Sequence, residues 1–551
     1  MLKKKMIGLI CSVITSILLC PSISAFASES KNVTGTYNIL VEGFDWGPGV
    51  TKAIVTLDEE VSNVDKDTFN VEETKNWYEG VQSFSRTIIN AYTSDEEGRV
   101  VEVPSKYVAI ELSVNPMEGS PFLYDFQLGS NTWTDPYSLN IKLSEEAELK
   151  IGENIISSIE IDSKYINRKT PTIDKFKKDV YISKENISMK YAFYEPENNT
   201  DKKPLIIWLH GAGEGGSDTT ITTLGNKVGA LIEDNIQNQF GGAYVLAPQS
   251  PTMWMDIGGS KYTGDGSTIY LDSLMDLIKN YVEMNKGIDT NRIYIGGCSN
   301  GGFMTMALIL QNPEYFAAAY PVCEAFDDSW IKEDKLKAIK DLPIWFIYSK
   351  NDQVVIPSKT SVATINRLKN INAKEVRVSE FNSVVDTSGL YKDEKGNPYE
   401  YNGHWSWIYA FNDECKDGEE SLWSWLAKQE KKSEVNEPID KPIDDNNNPT
   451  DKPNDNNNPI DKPSDNNNNN NNNSNNKNNN PTDKPNNDNN DLKNNQDKDS
   501  LKNNLNKIDN DKKSANKVDK LPNTGDTLSS TALGLIGVIS MIFGIKMRFN
   551  K

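Results

Sequence analysis

One serine of this 551-residue chain lies where a nucleophile is expected, and two histidines are present to serve as its base. Ser299 occupies the centre of the G-x-S-x-G motif Gly297–Gly301. The apolar run 292–296 precedes the motif and the helix-like run 303–308 follows it, an order typical of a nucleophile elbow. A serine hydroxyl is a weak nucleophile until a neighbouring base accepts its proton. The pattern therefore indicates nucleophilic attack on a carbonyl group, with a histidine as base.

His404 is assigned as the base and Asp352 as its partner. Asp352 stands at the tip of the apolar strand 344–348, and His404 follows the next strand, 376–381, after a loop. Catalytic groups of mainly parallel sheets gather beyond the carboxyl ends of the strands, so these side chains are expected to meet Ser299 there. The hydroxyl would attack, the imidazole would transfer the proton, and the carboxylate would orient the imidazole.

Three other aspartates are alternatives to Asp352, namely Asp327, Asp328 and Asp386. Asp386 is the strongest of the three because it precedes His404 in the same long loop. Asp352 is preferred because it stands at a strand tip, and with it the chain order is Ser, Asp, His.

A glycine-rich segment directly after another apolar strand supplies the fourth part of the predicted site. It covers residues 210–216 and reads His-Gly-Ala-Gly-Glu-Gly-Gly. Small residues allow backbone N–H groups to approach a developing oxyanion. We assign this role to the N–H of Ala212, or else Gly211, together with the N–H of Asn300. His210 itself is predicted to hold the loop rather than to carry a proton.

The elements that must position these groups begin near residue 177, where apolar segments start to alternate with helical ones. Fully apolar strands with helical connections predict a mainly parallel sheet that is covered on both faces. An opening hairpin is predicted at 180–182 and 189–194. Further strands are predicted at 205–209, 243–246, 293–296, 317–320, 344–348 and 376–381, and helices at 270–284, 301–311 and 360–368.

Before this region, apolar residues recur with a different period. Between residues 30 and 165, short runs alternate apolar and polar residues, and clusters of Gly, Pro, Asn and Asp separate them. This pattern predicts an antiparallel β-sandwich. The segment contains no histidine and no set of catalytic groups. We place the sandwich at 28–168 and the catalytic domain at 169–432.

The two ends of the chain carry targeting signals. Residues 1–27 are predicted to be a secretory signal peptide, with a basic start, an apolar core and a small-x-small cleavage site. Residues 433–520, rich in Asn, Asp, Lys and Pro, have little apolar surface to bury and are predicted to be a disordered linker that spans the cell wall.

Residues 521–551 resemble the sorting signal of Gram-positive surface proteins. They read Leu-Pro-Asn-Thr-Gly, then an apolar run from 532 to 545, then a basic tail. The resemblance implies that a sortase cleaves between Thr524 and Gly525 and joins the chain to peptidoglycan. The apolar run would be a membrane helix before that cleavage. The protein is therefore expected to be secreted and covalently anchored to the wall of a Gram-positive bacterium.

Composition excludes several other classes of function. The formal net charge of −20 argues against nucleic-acid binding, which requires a basic surface. No metal motif, phosphate loop or dinucleotide fingerprint occurs, so we expect neither a metal nor a cofactor. A disulfide between Cys323 and Cys415 is conceivable, although the sequence does not settle the pairing. The oligomeric state is not indicated.

The chain resembles the α/β-hydrolase esterases of the polyhydroxybutyrate-depolymerase and dienelactone-hydrolase-like branch. More narrowly, it is similar to bacterial carboxylesterases that carry an N-terminal immunoglobulin-like domain. The segments that carry this resemblance are 208–216, 247–250, 296–302 and the Asp352/His404 pair, with 41–48 and 53–57 in the front domain. The resemblance covers about residues 35–430 and implies a serine carboxylesterase that forms an acyl-enzyme.

The expected substrate is a small-molecule or polysaccharide-borne ester. No large apolar lid is inserted between residues 323 and 342, which disfavours a lipase acting at an oil–water interface. Trp254, Trp330 and Trp405 are candidates to line the pocket, although burial in the core is an equally good explanation for each. A serine peptidase of the prolyl-oligopeptidase-like type is one alternative. An adhesin or binding protein with an inactive hydrolase domain is the other.

Overall fold

The computed structural model describes residues 32–197 and 201–431. The predicted signal peptide, the linker and the sorting signal with Thr524 and Gly525 lie outside these residues. Within the described residues, no helix has the length and apolar character needed to cross a membrane. The apolar run at 532–545, which we predicted as a membrane helix, is also outside them.

The front part of the chain is built of β-strands in two main sheets, and most neighbouring strands pair antiparallel. Side chains of the first strand alternate between buried and more exposed, with Tyr37, Ile39 and Val41 in the core. This period of two is what packing one face of a sheet requires. The strands are β1 (Val33–Phe44), β2 (Gly47–Val61), β3 (Phe69–Trp77), β4 (Gly80–Arg86), β5 (Ile88–Ser94), β6 (Ser105–Leu112), β7 (Phe122–Asp125), β8 (Ser130–Trp133), β9 (Tyr137–Leu143), β10 (Lys150–Ile151), β11 (Asn154–Ile155), β12 (Ile159–Ile161) and β13 (Arg168–Lys169).

One of these sheets has the order β12-β1-β2-β6-β5, with β13 also pairing with β1, and the other has the order β4-β3-β9. Apolar side chains from both sheets form a shared core. Strands β7 and β8 form a separate hairpin. The predicted β-sandwich is therefore confirmed.

The second part of the chain contains an eight-stranded sheet in the order β14-β15-β17-β16-β18-β19-β20-β21. Strands β14 and β15 pair antiparallel, as do β15 and β17, and the remaining pairs are parallel. The predicted mainly parallel sheet with an opening hairpin is thus confirmed. The strands are β14 (Lys177–Ile182), β15 (Ser188–Tyr194), β16 (Lys203–Leu209), β17 (Tyr244–Gln249), β18 (Ile288–Cys298), β19 (Ala318–Val322), β20 (Ile344–Ser349) and β21 (Val376–Phe381), followed by the short pair β22 (Lys416–Asp417) and β23 (Glu420–Ser421).

Helices cover this sheet, as the apolar character of its strands requires. The three helices that we predicted are present with bounds within two residues of those predicted. The helices are α1 (Thr219–Gly225), α2 (Asp234–Phe240), α3 (Leu271–Met284), α4 (Asn300–Gln311), α5 (Glu333–Ala338), α6 (Ser361–Asn370), α7 (Trp407–Phe411) and α8 (Leu422–Leu426).

Helix α1 is one that the sequence pattern did not reveal. Its sequence, Thr-Thr-Ile-Thr-Thr-Leu-Gly, is rich in β-branched residues, which lower helix propensity. Asp218 caps the helix by accepting a hydrogen bond from the N–H of Thr220 at 3.0 Å. Six of its seven residues are buried. Capping and tertiary burial therefore outweigh the unfavourable local propensity.

The front domain contacts segments on both sides of His404 in the chain. Asp45, in the turn between β1 and β2, pairs with Lys227 Nζ at 3.0 Å and accepts a hydrogen bond from Asn412 Nδ2 at 3.1 Å. The neighbouring Trp46 packs edge-on against Tyr391, with 4.7 Å between ring centroids. Two of these partners, Tyr391 and Asn412, belong to the chain on either side of the predicted base.

Candidate active site

Ser299 stands at a sharp turn between β18 and α4. Its backbone has φ of 55° and ψ of −114°, a conformation that residues with a side chain rarely adopt. Such strain persists where surrounding structure enforces it, commonly at functional sites. Ser299 remains partly exposed, whereas Cys298 and Asn300 on either side are buried. The turn therefore presents the serine hydroxyl to solvent, as a nucleophile elbow does.

The two glycines of the motif allow this turn to pack closely. A Cβ atom added at Gly301 would lie 1.9 Å from the carbonyl oxygen of Leu209, and one at Gly297 would lie 2.5 Å from the same atom. No side chain fits within such distances. The glycines therefore bring the elbow against the end of β16, where the glycine-rich loop begins.

The structure brings Asp352 and His404 together. His404 Nδ1 donates a hydrogen bond to Asp352 Oδ2 at 2.7 Å, and both side chains are buried. The other carboxylate oxygen, Oδ1, accepts hydrogen bonds from the N–H groups of Val354 and Val355, each at 2.9 Å. With the Nδ1 proton directed to the carboxylate, the tautomer of a neutral ring leaves Nε2 as a proton acceptor. This is the arrangement that a general base requires.

The alternative aspartates have other partners. Asp386 accepts a hydrogen bond from the N–H of Gly389 at 2.8 Å and so organises its own loop. Asp328 forms an ion pair with Arg367 at 3.1 Å. Asp327 caps the short 3₁₀ turn that follows it. Asp352 is the one of the four that the structure pairs with the predicted base.

His210 has a structural position. Its Nδ1 donates to the carbonyl of Gly211 at 2.6 Å, and its Nε2 accepts a hydrogen bond from the N–H of Ser250 at 3.0 Å. Complete burial lowers its pKa to about 4, because the charged ring would lose its hydration. A ring that stays neutral and has both nitrogens occupied holds the loop, as we predicted for this residue.

Two backbone segments offer N–H groups to a developing oxyanion. Ala212 begins the 3₁₀ turn Ala212–Glu214, and Asn300 begins α4, where the first N–H groups have no acceptor within the helix. The amide of Gly211, our alternative to Ala212, instead faces the Glu214 carboxylate. Ala212 and Asn300 therefore have the better placement for the predicted role.

Trp254 forms hydrogen bonds to both of these segments. Its backbone N–H donates to Asn300 Oδ1 at 2.6 Å, and its indole Nε1 donates to the carbonyl of His210 at 3.1 Å. The side chain is fully buried. Trp254 therefore supports the loop and the elbow from the core and presents no surface to a substrate, which corrects its assignment to the pocket.

The other two candidate pocket tryptophans are partly exposed. Trp330 packs against Phe326 at 5.5 Å between ring centroids, and Trp405 packs against Trp407 at 6.0 Å. Trp407 in turn meets the ring of His404 edge-on, at 6.0 Å. Lining of the pocket by Trp330 and Trp405 stays a prediction.

The three cysteines of the described residues are free and buried. The conceivable disulfide between Cys323 and Cys415 is therefore not formed. Cys298, next to the candidate nucleophile, is a small core residue whose Sγ lies 3.5 Å from Asn226 Oδ1. Burial raises the pKa of its thiol well above the usual value, so the thiol stays neutral.

Sequence reasoning did not assign a role to Glu214. This carboxylate lies on the predicted oxyanion loop, is 5% exposed, and accepts a hydrogen bond from Asn131 of the front domain at 3.1 Å. Burial raises its pKa to about 7. The sequence does contain one signal for Glu214, because an acidic residue is unusual within a glycine-rich segment such as 210–216. Nothing in the local sequence marked Asn131, which lies 83 residues earlier.

Both parts of the chain match known protein families. Residues 36–154 match the esterase immunoglobulin-like N-terminal domain, and residues 195–388 match the phospholipase/carboxylesterase family. The crystal structure of a thermostable esterase superposes with a TM-score of 0.58 at 26% identity, covering 73% of this chain and 100% of that one. These findings confirm the predicted class: an esterase-type α/β-hydrolase domain preceded by an immunoglobulin-like domain.

Two curated relatives match shorter segments. A poly(3-hydroxybutyrate) depolymerase of Ralstonia pickettii is 30% identical over 131 residues, or 22% of this chain and 25% of the depolymerase. A bifunctional acetylxylan esterase/xylanase of Neocallimastix patriciarum is 28% identical over 168 residues, or 29% of this chain and 21% of the relative. The chain thus matches about a quarter or less of the length of each.

Proposed function

We propose that this protein is a serine carboxylesterase in which Ser299, His404 and Asp352 form the catalytic triad. The observation that carries the proposal is the Asp352–His404 hydrogen bond, found together with a strained, partly exposed Ser299 in a domain of the carboxylesterase family. Ser299 follows β18, and Asp352 and His404 follow β20 and β21, so all three groups lie beyond the carboxyl ends of strands in one sheet.

The chemistry is acyl transfer in two stages. The Ser299 hydroxyl attacks the ester carbonyl while His404 Nε2 takes its proton, and the N–H groups of Ala212 and Asn300 stabilise the resulting oxyanion. The imidazolium then protonates the departing alcohol, which leaves an acyl-enzyme. Water then attacks this acyl group while His404 Nε2 takes its proton, and the imidazolium returns a proton to Ser299 Oγ as the acid leaves, which restores the free serine. Asp352 stabilises the imidazolium in both stages.

The proposed substrates are small or polysaccharide-borne esters. The segment between β19 and β20 holds only the 3₁₀ turn Asp328–Trp330 and the six-residue helix α5, which is short for a lid over an apolar pocket. The matched relatives include proteins named for polyester depolymerisation and for acetylxylan de-esterification. A site without a large lid in this segment suits either kind of ester.

A substrate panel tests this proposal. We expect hydrolysis of p-nitrophenyl acetate and butyrate by the purified protein, with little activity on p-nitrophenyl esters of long fatty acids and none on aminoacyl p-nitroanilides. The physical reason is that the segment between β19 and β20 is too short to cover a long acyl chain. Initial rates across acyl-chain lengths measure the preference, and a Ser299→Ala variant gives the background. Faster anilide cleavage would indicate a serine peptidase, and a folded protein that cleaves neither class would indicate a binding protein.

We further propose that the chain is secreted and joined to peptidoglycan through Thr524. The support is sequence order: a signal peptide, a polar linker, Leu-Pro-Asn-Thr-Gly, an apolar run and a basic tail. In a Gram-positive host with a sortase, Thr524→Ala is expected to remove most of the protein from the fraction that muramidase releases from the wall. Thr482→Ala, in the linker, is the matched control. Equal wall fractions for both variants would contradict covalent anchoring at this motif.

A further inference from the structure

A side chain of the front domain contacts the candidate oxyanion loop. Asn131, on β8 of the hairpin β7–β8, donates from Nδ2 to Glu214 Oε1 at 3.1 Å. The same amide nitrogen lies so close to the loop that a Cβ atom added at Gly213 would approach it to 2.9 Å. Asn131 therefore packs against the turn Ala212–Glu214 as well as bonding to its last residue.

Glu214 in turn holds the loop from within. Its carboxylate also faces the N–H of Gly211. Its backbone carbonyl accepts hydrogen bonds from Gln249 Nε2 at 2.9 Å and from Thr222 Oγ1 at 3.1 Å. Its side chain is wedged against Gly225, where an added Cβ atom would lie 2.5 Å from Glu214 Cγ. The donors that hold the carboxylate are neutral amides, so the loss of Asn131 leaves a buried acceptor that depends on the backbone N–H groups of its own loop.

We propose that Asn131 is a positioning residue for ester hydrolysis: acting through Glu214, it fixes the turn that presents the N–H of Ala212 to the oxyanion. The inference rests on the proposed function, since it assigns a part to the oxyanion site. It makes the front domain contribute one specific group to transition-state stabilisation, separate from any general effect of domain docking. Displacements of about 1 Å at such sites can lower turnover about 100-fold.

The titration of Glu214 supplies an independent signature. Burial raises its pKa to about 7, and the other titratable groups that face it, Tyr124 and Cys298, are themselves neutral at that pH. Asn131→Asp would place a second carboxyl against the first. Two adjacent carboxyl groups share one proton, and their mutual repulsion raises the pKa at which that proton is lost. Both groups are therefore ionised, and repel each other, only at higher pH.

The experiment compares two variants that each remove one hydrogen bond between the domains. Asn131→Ala removes the hydrogen bond to Glu214. Trp133→Phe removes the hydrogen bond from Trp133 Nε1 to Asp218 Oδ2, at 2.9 Å. Asp218 caps helix α1 and is not part of the oxyanion turn. On p-nitrophenyl acetate, we expect Asn131→Ala to lower kcat about tenfold with KM within about twofold of wild type. We expect Trp133→Phe to leave kcat within about twofold. As a fraction of the wild-type kcat at the same pH, the kcat of Asn131→Asp should stay high at about pH 5 and fall progressively towards about pH 8.

Hydrogen–deuterium exchange of the full chain provides a measurement that does not depend on turnover. Amides of residues 211–216 should exchange faster in Asn131→Ala than in wild type or Trp133→Phe. Unchanged exchange in this segment overturns the inference about Asn131, whether or not the wild-type protein hydrolyses esters. A folded wild-type protein that hydrolyses no ester would count against the proposed function instead. Equal losses of kcat in Asn131→Ala and Trp133→Phe, or an Asn131→Asp profile parallel to wild type, also overturn it, because these are the effects of docking alone.

Discussion

Ser299→Ala is expected to lower kcat for p-nitrophenyl acetate by at least about 10⁴-fold. Without the hydroxyl there is no acyl-enzyme, and the residual rate comes only from the oxyanion donors and from binding. Alanine keeps the Cβ atom and lacks only the hydroxyl group, so the fold and the elbow should survive. The expected loss is therefore in kcat, with a thermal midpoint close to that of wild type, measured by circular dichroism on the same samples.

Two comparisons make this result specific to the elbow. Ser329→Ala, an exposed serine on the 3₁₀ turn after Asp327, should leave kcat unchanged. A fluorophosphonate probe should label wild type on the peptide that contains Ser299 and should not label Ser299→Ala. Retention of turnover by Ser299→Ala, or labelling at another serine, would show that the nucleophile lies elsewhere.

The strain at Ser299 allows a related measurement of stability. Glycine adopts positive φ readily, whereas a residue with a Cβ atom pays about 1–3 kcal/mol for a sparsely populated backbone conformation. Ser299→Gly should therefore be inactive and yet more stable than Ser299→Ala in urea unfolding. A lower stability for the glycine variant would mean that the observed φ of 55° is not strained in solution.

Asp352→Asn is expected to lower kcat by about 10⁴-fold, since an amide in this position favours the wrong histidine tautomer. The amide NH₂ would donate to His404 Nδ1, which moves the ring proton to Nε2 and removes the acceptor that Ser299 needs. The carbonyl oxygen of the new side chain can still accept from the N–H groups of Val354 and Val355. The loop should therefore remain folded, and the loss should appear in kcat without loss of structure.

Asp386→Asn is the matched control for this variant. Asp386 is also a buried carboxylate, at 3% exposed, and it lies in the loop that leads to His404. Its contacts are with its own loop, so we expect kcat to change by less than about tenfold. A larger loss in Asp386→Asn than in Asp352→Asn would reverse the assignment of the carboxylate.

Much of the fold is readable from the sequence because it depends on local pattern. Strands such as 344–348 are apolar throughout because both faces of the sheet are covered, and this needs no knowledge of partners. Helix α1 shows the limit, because its threonine-rich sequence disfavours a helix and its formation depends on the Asp218 cap and on burial against other elements. The order of the strands in the two sheets of the sandwich likewise depends on contacts between distant segments.

The candidate site divides in the same way. The elbow is local: the glycines, the serine and the flanking strand and helix are contiguous, so the G-x-S-x-G pattern alone determined the position of Ser299. The choice of Asp352 over Asp386 was open in the sequence, since both precede His404, and only the path of the folded loop decided it, with a 2.7 Å bond across 52 residues. Trp254 was assigned to the pocket on its residue type, yet tertiary packing places it wholly in the core.

The amino-acid sequence by itself determined the class of chemistry, the mainly parallel sheet, the sandwich in front of it and the targeting signals proposed at both ends, because each follows from residue types within a few positions of one another. Only the tertiary structure decided which carboxylate meets His404, what holds the loop at 210–216, and that Asn131 reaches Glu214 from the other domain. These contacts join residues 40 to 83 positions apart, and their existence depends on how whole sheets pack, which no local pattern encodes.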